Sequence, residues 1–336
     1  MNSERKLMLI AAIGIPLLVS VFILAICVGR YSISPEALLA IITGDRASYP
    51  MEWNILSKLR IPRTLAALTV GIGLSVSGLL YQELFQNKLV SPDLLGVSEG
   101  AGVGAALAIL LGWTTWFITG MAFVTGLISV LAAISIAKVV KGRSSATLLL
   151  SGVMVGCIAN SAVGFIKYMA GPEATLASIE FWLMGSCEYV TMDKALLLVI
   201  IMTVCLIVIM PLKWRINLVA LGREECSSRG MKYKKYMWGI IGLATLMTAS
   251  TVAVVGCVSL IGLVIPHISR LIVGRNTKFS IPMTVIFGGV FMIFADMFCR
   301  CLTTSEMPLL VFTGLFGAGV FIILMFVNGG KVDERL

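Results

Sequence analysis

Residues 8–29 read MLIAAIGIPLLVSVFILAICVG, 22 consecutive positions without a charged side chain. At 1.5 Å per residue a helix of this length is about 30 Å long, the thickness of a bilayer's hydrocarbon core. Inside hydrocarbon every backbone N–H and C=O must be satisfied within the segment, so the stretch is predicted to be a membrane-spanning helix. The pattern repeats. Thr64 to Gln82, Thr114 to Ala137, Ala146 to Ile166, Ala195 to Leu212 and Leu309 to Val327 are equally free of charge. The whole chain of 336 residues is 58% hydrophobic and 13% charged, with mean hydropathy +1.00. That composition excludes an ordinary water-soluble domain, which needs a larger polar surface.

Less clean segments complete the count. Residues 94–112 contain Glu99, and residues 281–302 contain Asp296 and Arg300. The uncharged run from Met237 to Ser269 is too long for one helix. Its Gly256-Cys257-Val258-Ser259 break is predicted to join two. The expectation is a single all-α polytopic domain with spans at 8–29, 64–82, 94–112, 114–137, 146–170, 195–212, 236–255, 258–274, 281–302 and 309–327. Basic residues flanking spans collect on the cytoplasmic side. With the N-terminus inside, that side receives Lys138, Lys141 and Arg143, the group Arg223 to Lys235, and Arg270, Arg275 and Lys278. An even number of spans returns the C-terminus to the cytoplasm. The net charge of +9 then reflects topology and calls for no nucleic acid partner. One segment breaks the rule: residues 30–63, expected outside, carry Arg30, Arg46, Lys58, Arg60 and Arg63.

Several chemistries lack their residues. There is one histidine, His267, and the eight cysteines form no C-x-x-C pair, so no dedicated metal site is expected. No G-x-x-x-x-G-K-[ST] occurs, so ATP is not bound through a P-loop. Intramembrane ionisable groups are few, namely Glu99, Lys167, Asp296 and Arg300. Glu99, Lys167 and Asp296 would be the ion-selecting or ion-relaying groups of a stand-alone secondary transporter or channel, the rival function.

Specific motifs lie elsewhere. Arg60-Ile61-Pro62-Arg63-Thr64-Leu65 leads into Gly71, Gly73 and Gly78, then Gln82. Asn87 to Val97 follows as NKLVSPDLLGV, with Gly100-Ala101-Gly102 behind it. Much later come Gly262-Leu263-Val264-Ile265-Pro266-His267 with Arg270, Asp296 with Arg300, and Glu306-Met307-Pro308. In this order the set resembles the permease subunits of ABC importers for iron–siderophore, haem and cobalamin, the FecCD/cobalamin-permease family of type II importers. The resemblance runs over essentially the whole chain. It departs at Lys88, where the family commonly has proline, and at Gly317-Ala318-Gly319, where it often has Gly-Ala-Pro.

The resemblance implies a non-enzymatic transport subunit in a bacterial or archaeal cytoplasmic membrane. It would pair with a second copy or a close paralogue, with two cytoplasmic ATPase subunits holding the ATP and Mg, and with an extracytoplasmic substrate-binding protein. No cofactor belongs to this chain. A ferric siderophore is the first-ranked cargo, with haem or cobalamin next. Arg60, Arg63 and Arg300 would meet acidic residues of the binding protein; the alternative is interfacial arginines reaching lipid head groups. Residues 213–235 would form the cytoplasmic coupling loop. Its core is Leu221, Gly222, Arg223, Glu224, Glu225, Ser228, Arg229 and Gly230, which otherwise is a solvated basic loop. Ser144 and Ser145 would narrow the inner end of the pathway. Gly152, Gly156 and Asn160 would face the conduit or else pack against a neighbouring helix. The glycines and serines from Gly71 to Gly78 give one helix small faces that let neighbours approach.

Overall fold

The computed structural model describes residues 3–140, 145–171, 174–302 and 305–328. Their regular elements are all helices: α1 (Ser3–Cys27), α2 (Pro35–Thr43), α3 (Pro50–Asn54), α4 (Ile61–Phe85), α5 (Val97–Leu110), α6 (Thr115–Val139), α7 (Ser145–Ala170), α8 (Ala174–Met184), α9 (Met192–Val219), α10 (Arg223–Ser228), α11 (Tyr233–Val255), α12 (Ile261–Val273), α13 (Thr277–Cys301) and α14 (Leu309–Asn328). A π-helical turn, Ile55–Arg60, fuses α3 to α4, and a 3₁₀ turn, Pro92–Leu95, precedes α5. Among the described residues seven helical stretches are long and apolar enough to cross a membrane. Helices α5 and α12, of 14 and 13 residues, each reach only about 20 Å.

Helix α4 is the axis. Twenty-one of its 25 residues are buried, and α9, α11, α12 and α13 surround it. Small side chains make this possible. A Cβ on Gly71 would stand 2.1 Å from the carbonyl oxygen of Gly288 on α13. One on Gly78 would stand 1.9 Å from that of Gly262 on α12. Backbone therefore packs on backbone at two levels, as small-residue helix faces allow in membranes. Two hydroxyls on α4 meet α11: Tyr81 Oη and Thr245 Oγ1 lie 2.8 Å apart, and Thr248 donates to Ser77 at 3.1 Å.

Three stretches expected to be loop are helical instead. Residues 30–63 hold α2, α3 and the π-turn. Ser34 caps α2 by accepting from the N–H of Ala37, Gly44 closes it at φ 105°, and Ala37 and Ile41 bury its inner face. Residues 167–194 hold α8, whose Ile179 is buried. Helix α9 runs on to Val219 because Ile216, Leu218 and Val219 still find buried positions. Between α11 and α12 the chain leaves helix from Gly256 to Leu260.

Candidate functional site

The molecule has two ends and an open cavity between them. At one end stand the arginines of the Arg60 motif. Arg60 is 5% exposed and donates to the carbonyls of Ile26 and Cys27, at 2.8 and 2.7 Å, and to that of Tyr31. Ile26 and Cys27 lie in the last turn of α1, where carbonyls lack helical partners, and Tyr31 lies just beyond it. Arg63, 8% exposed, donates through Nε to Asp296 at 2.8 Å and through Nη1 to Glu306 at 2.6 Å. Arg300 is also buried; it donates to the carbonyl of Ala25 and lies 4.0 Å from Asp296. The three arginines thus converge, but their guanidinium groups are engaged within the chain. Charges less enclosed at this end include exposed Arg46, stacked over Trp53 at 4.1 Å, and half-buried Glu52, which accepts from Tyr31 at 3.2 Å.

At the opposite end α10 supplies a short polar helix. Cys226 is fully buried and its Sγ lies 3.1 Å from the carbonyl oxygen of Leu218, which pins α10 onto α9. Its pKa is raised, first by burial and then by Glu225. The remaining face presents Arg223, Glu224, Ser227 and Ser228 to the surface, with Leu221 exposed just ahead. Arg229 reaches back one turn to Glu225 at 2.7 Å. Gly222 and Gly230 adopt φ of 100° and 69°, backbone that glycine takes without strain, so they bracket the helix sharply.

Between the ends an open cavity of about 510 Å³ lies against α5, α7 and the Gly256–Leu260 break. Asp93, Ser98, Glu99, Asn160, Lys167 and Ser259 bring polar atoms to it. Asp93 accepts from Ser98, while the buried Oε2 of Glu99 has no hydrogen-bond partner. Lys167 pairs with Glu180 at 2.9 Å. Around it α7 carries exposed Met154, Ile158 and Phe165. Polar groups this numerous do not face lipid, where ionisable side chains are costly unless they meet water or partners.

The expected conduit residues separate here. Asn160 lines the cavity, and a Cβ on Gly156 would sit 3.7 Å from Glu99. Gly152 instead lies beneath the 3₁₀ turn, where a Cβ would meet the carbonyl of Leu94 at 2.2 Å. Ser145 opens α7. Ser144 lies outside the described residues, as do Lys141, Arg143 and the C-terminal residues after 328. Sequence alone missed the contributions of Ser98, Cys257 and Ser259 to the cavity. It also missed Lys194, 3% exposed, which donates to Thr119 at 2.8 Å. No cluster of three or more potential metal ligands occurs among the described residues.

The profile of the FecCD transport family matches residues 17–327. The chain belongs to that family. Among its relatives is the molybdate import system permease protein MolB of Haemophilus influenzae, 32% identical over 95% of this chain and 96% of the relative. The vitamin B12 import system permease protein BtuC of Salmonella typhi is 34% identical over 86% and 90%. A permease described for iron chelatin transport in Helicobacter pylori is 33% identical over 82% and 83%. The fold superposes on a solved transporter described as metal-chelate type ABC, in an inward-facing conformation, with TM-score 0.84 and 31% identity, covering 93% of this chain and 97% of that one. This FecCD chain is accordingly a multi-pass permease subunit of a prokaryotic type II ABC importer. It is not itself catalytic, and an importer of this kind implies ATPase and binding-protein partners.

Proposed function

We propose that this permease moves an iron chelate, a ferric siderophore foremost, through a conduit formed with a second copy or close paralogue of itself. Haem or cobalamin is the second reading of cargo. The polar cavity of Asp93, Glu99 and Asn160 carries the proposal. A polar recess on a membrane-embedded flank is stable where a second subunit closes it into a watered pathway. Its carboxylates, with Lys167 occupied by Glu180, suit a neutral or cationic wrapped chelate better than a bare oxyanion such as MolB's molybdate.

In this reading the Arg60 end faces outward and the α10 end inward, with both termini cytoplasmic. The binding protein seats on the outer end. Arg60, Arg63 and Arg300 brace that rim through their internal partners, and charges such as Arg46 and Glu52 meet the visitor. Residues 213–235 engage the ATPase through α10. ATP binds the two conformations of the ATPase pair unequally, and that difference biases which end of the conduit is open.

The test is uptake into vesicles carrying this chain with its cognate ATPase and binding protein. ATP-dependent entry of a ferric hydroxamate, with no entry by the chain alone, is expected. Entry driven by a proton or sodium gradient without the ATPase would overturn the importer reading. Preferential entry of molybdate would overturn the cargo.

A further inference from the structure

A second cavity, about 420 Å³, opens at the α10 end among the last turns of α4, α9 and α12 and the start of α13. Most of its lining side chains are polar, though their aliphatic stems leave more apolar than polar surface, and its charges are Lys88, Arg270, Arg275 and Glu83. Arg270 is committed: it lies 3.4 Å from Glu83 and donates to Gln82. Lys88 and Arg275 are exposed and have no ion-pair partner among the described residues. Cations beside helix C-termini complement the backbone dipoles, and buried Arg270 already sits at the end of α12. Two further cations are in excess of that need. Partial burial of the ammonium first, then the nearby charges of Arg275 and Arg270, lowers the pKa of Lys88 from its ordinary value.

The pocket is continuous with the coupling loop. Leu221 lines it, and a Cβ on Gly222 would lie 3.0 Å from the amide nitrogen of Gln86 on its rim. We infer that the Lys88–Arg275 pocket receives an acidic side chain of the cytoplasmic ATPase subunit and forms a second anchor beside α10. The inference rests on the importer reading above. The ATPase is favoured over an anionic lipid because the pocket adjoins α10 and the loop that meets the ATPase in that reading. With Asn217, Asn276 and Gln86 around the two cations, a carboxylate would find both charge and hydrogen-bond donors. Exposed charges of this kind steer association and weaken with salt.

The experiment compares the full chain and a Lys88→Glu/Arg275→Glu variant, each in lipid nanodiscs, for binding to the purified cognate ATPase at low and high salt. The variant is expected to bind about tenfold more weakly at low salt and to match the unaltered chain at high salt. A Lys88→Gln/Arg275→Gln variant, which introduces no repulsion, is expected to fall between them. Thermal unfolding of each variant confirms an intact fold. Equal affinities at both salt concentrations would overturn the pocket's role. So would unchanged ATPase binding accompanied by loss of co-purifying anionic lipid in native mass spectrometry, or of inorganic phosphate binding. If the unaltered chain bound no ATPase at all, the importer reading itself would fall; equal binding by all three forms sinks only this pocket.

Discussion

Arg63 on α4 and Asp296 on α13, 233 residues apart in sequence, meet at 2.8 Å with side-chain exposures of 10% and 1%. Glu306 completes the arrangement at 2.6 Å from the same guanidinium, so one arginine ties α4 to α13 and to the segment leading into α14. Asp296 also lies one turn from Arg300.

Removing Asp296 leaves buried Arg63 with Glu306 as its remaining carboxylate. Asp296→Ala is therefore expected to destabilise the detergent-solubilised protein by less than the roughly 3–5 kcal/mol of a fully uncompensated buried charge. The double replacement Arg63→Met/Asp296→Leu should recover a large part of that loss, since buried pairs are often replaceable by apolar groups. A double-mutant cycle on thermal unfolding measures both. Additive losses would show that the two residues do not act as a pair.

Gly78→Ala and Gly71→Ala place a methyl within about 2 Å of a backbone carbonyl oxygen on α12 and α13 respectively. Neither neighbour is a flexible side-chain tip. Each substitution is expected to cost about 1–3 kcal/mol or more, through forced separation of α4 from its partner. Gly120→Ala serves as the control, because nothing lies within 4 Å of a Cβ there. Equal stability of all three variants would contradict the backbone contacts.

Glu99→Leu with Asn160→Leu turns the polar recess apolar. Uptake by the assembled importer is expected to fall severalfold by local dewetting. Expression and ATPase binding should stay unchanged, since the cavity is remote from α10. Glu99→Gln, which keeps a polar head of similar size, should retain most transport. Full uptake by the double Leu variant would place the pathway elsewhere.

Replacing Glu224 and Arg229 by Ala is expected to leave folding intact, because the exposed Arg229–Glu225 pair is worth only about 0.3–0.5 kcal/mol. ATP hydrolysis by the complex should continue while uptake is lost. Hydrolysis and uptake retained together would move the coupling contact off α10.

The residues differ in how much of this they disclose in one dimension. Long uncharged runs announce their helices because hydrocarbon leaves no alternative, and Gly256 marks the break between α11 and α12. The small residues of α4 signal close packing but not which helix arrives at each one. Helices α2 and α8 stay hidden since each buries only one or two side chains in a segment otherwise rich in loop residues. The arginines are the instructive case. Sequence places Arg60 and Arg63 ahead of a span and Arg300 near the end of another, and the family resemblance reads all three as charges awaiting a visitor. Their partners are distant carboxylates and the unpaired carbonyls at the end of α1, and only the folded chain brings these within reach. The cavity likewise joins Glu99, Asn160 and Ser259 from three separate stretches, so no single motif announces it.

Helix α4 holds Arg63 near one face of the bundle and Gln82 and Glu83 near the other, about 30 Å away along an uninterrupted and almost wholly enclosed rod. A rod so clamped would transmit a tilt rather than absorb it, so a push delivered beneath it would arrive above it undiminished. Half-open states, with one vestibule moved and the other at rest, would then be rare visitors. Spin labels placed at the two tips should keep a constant separation through the transport cycle; a separation that changes would locate a hinge inside the rod.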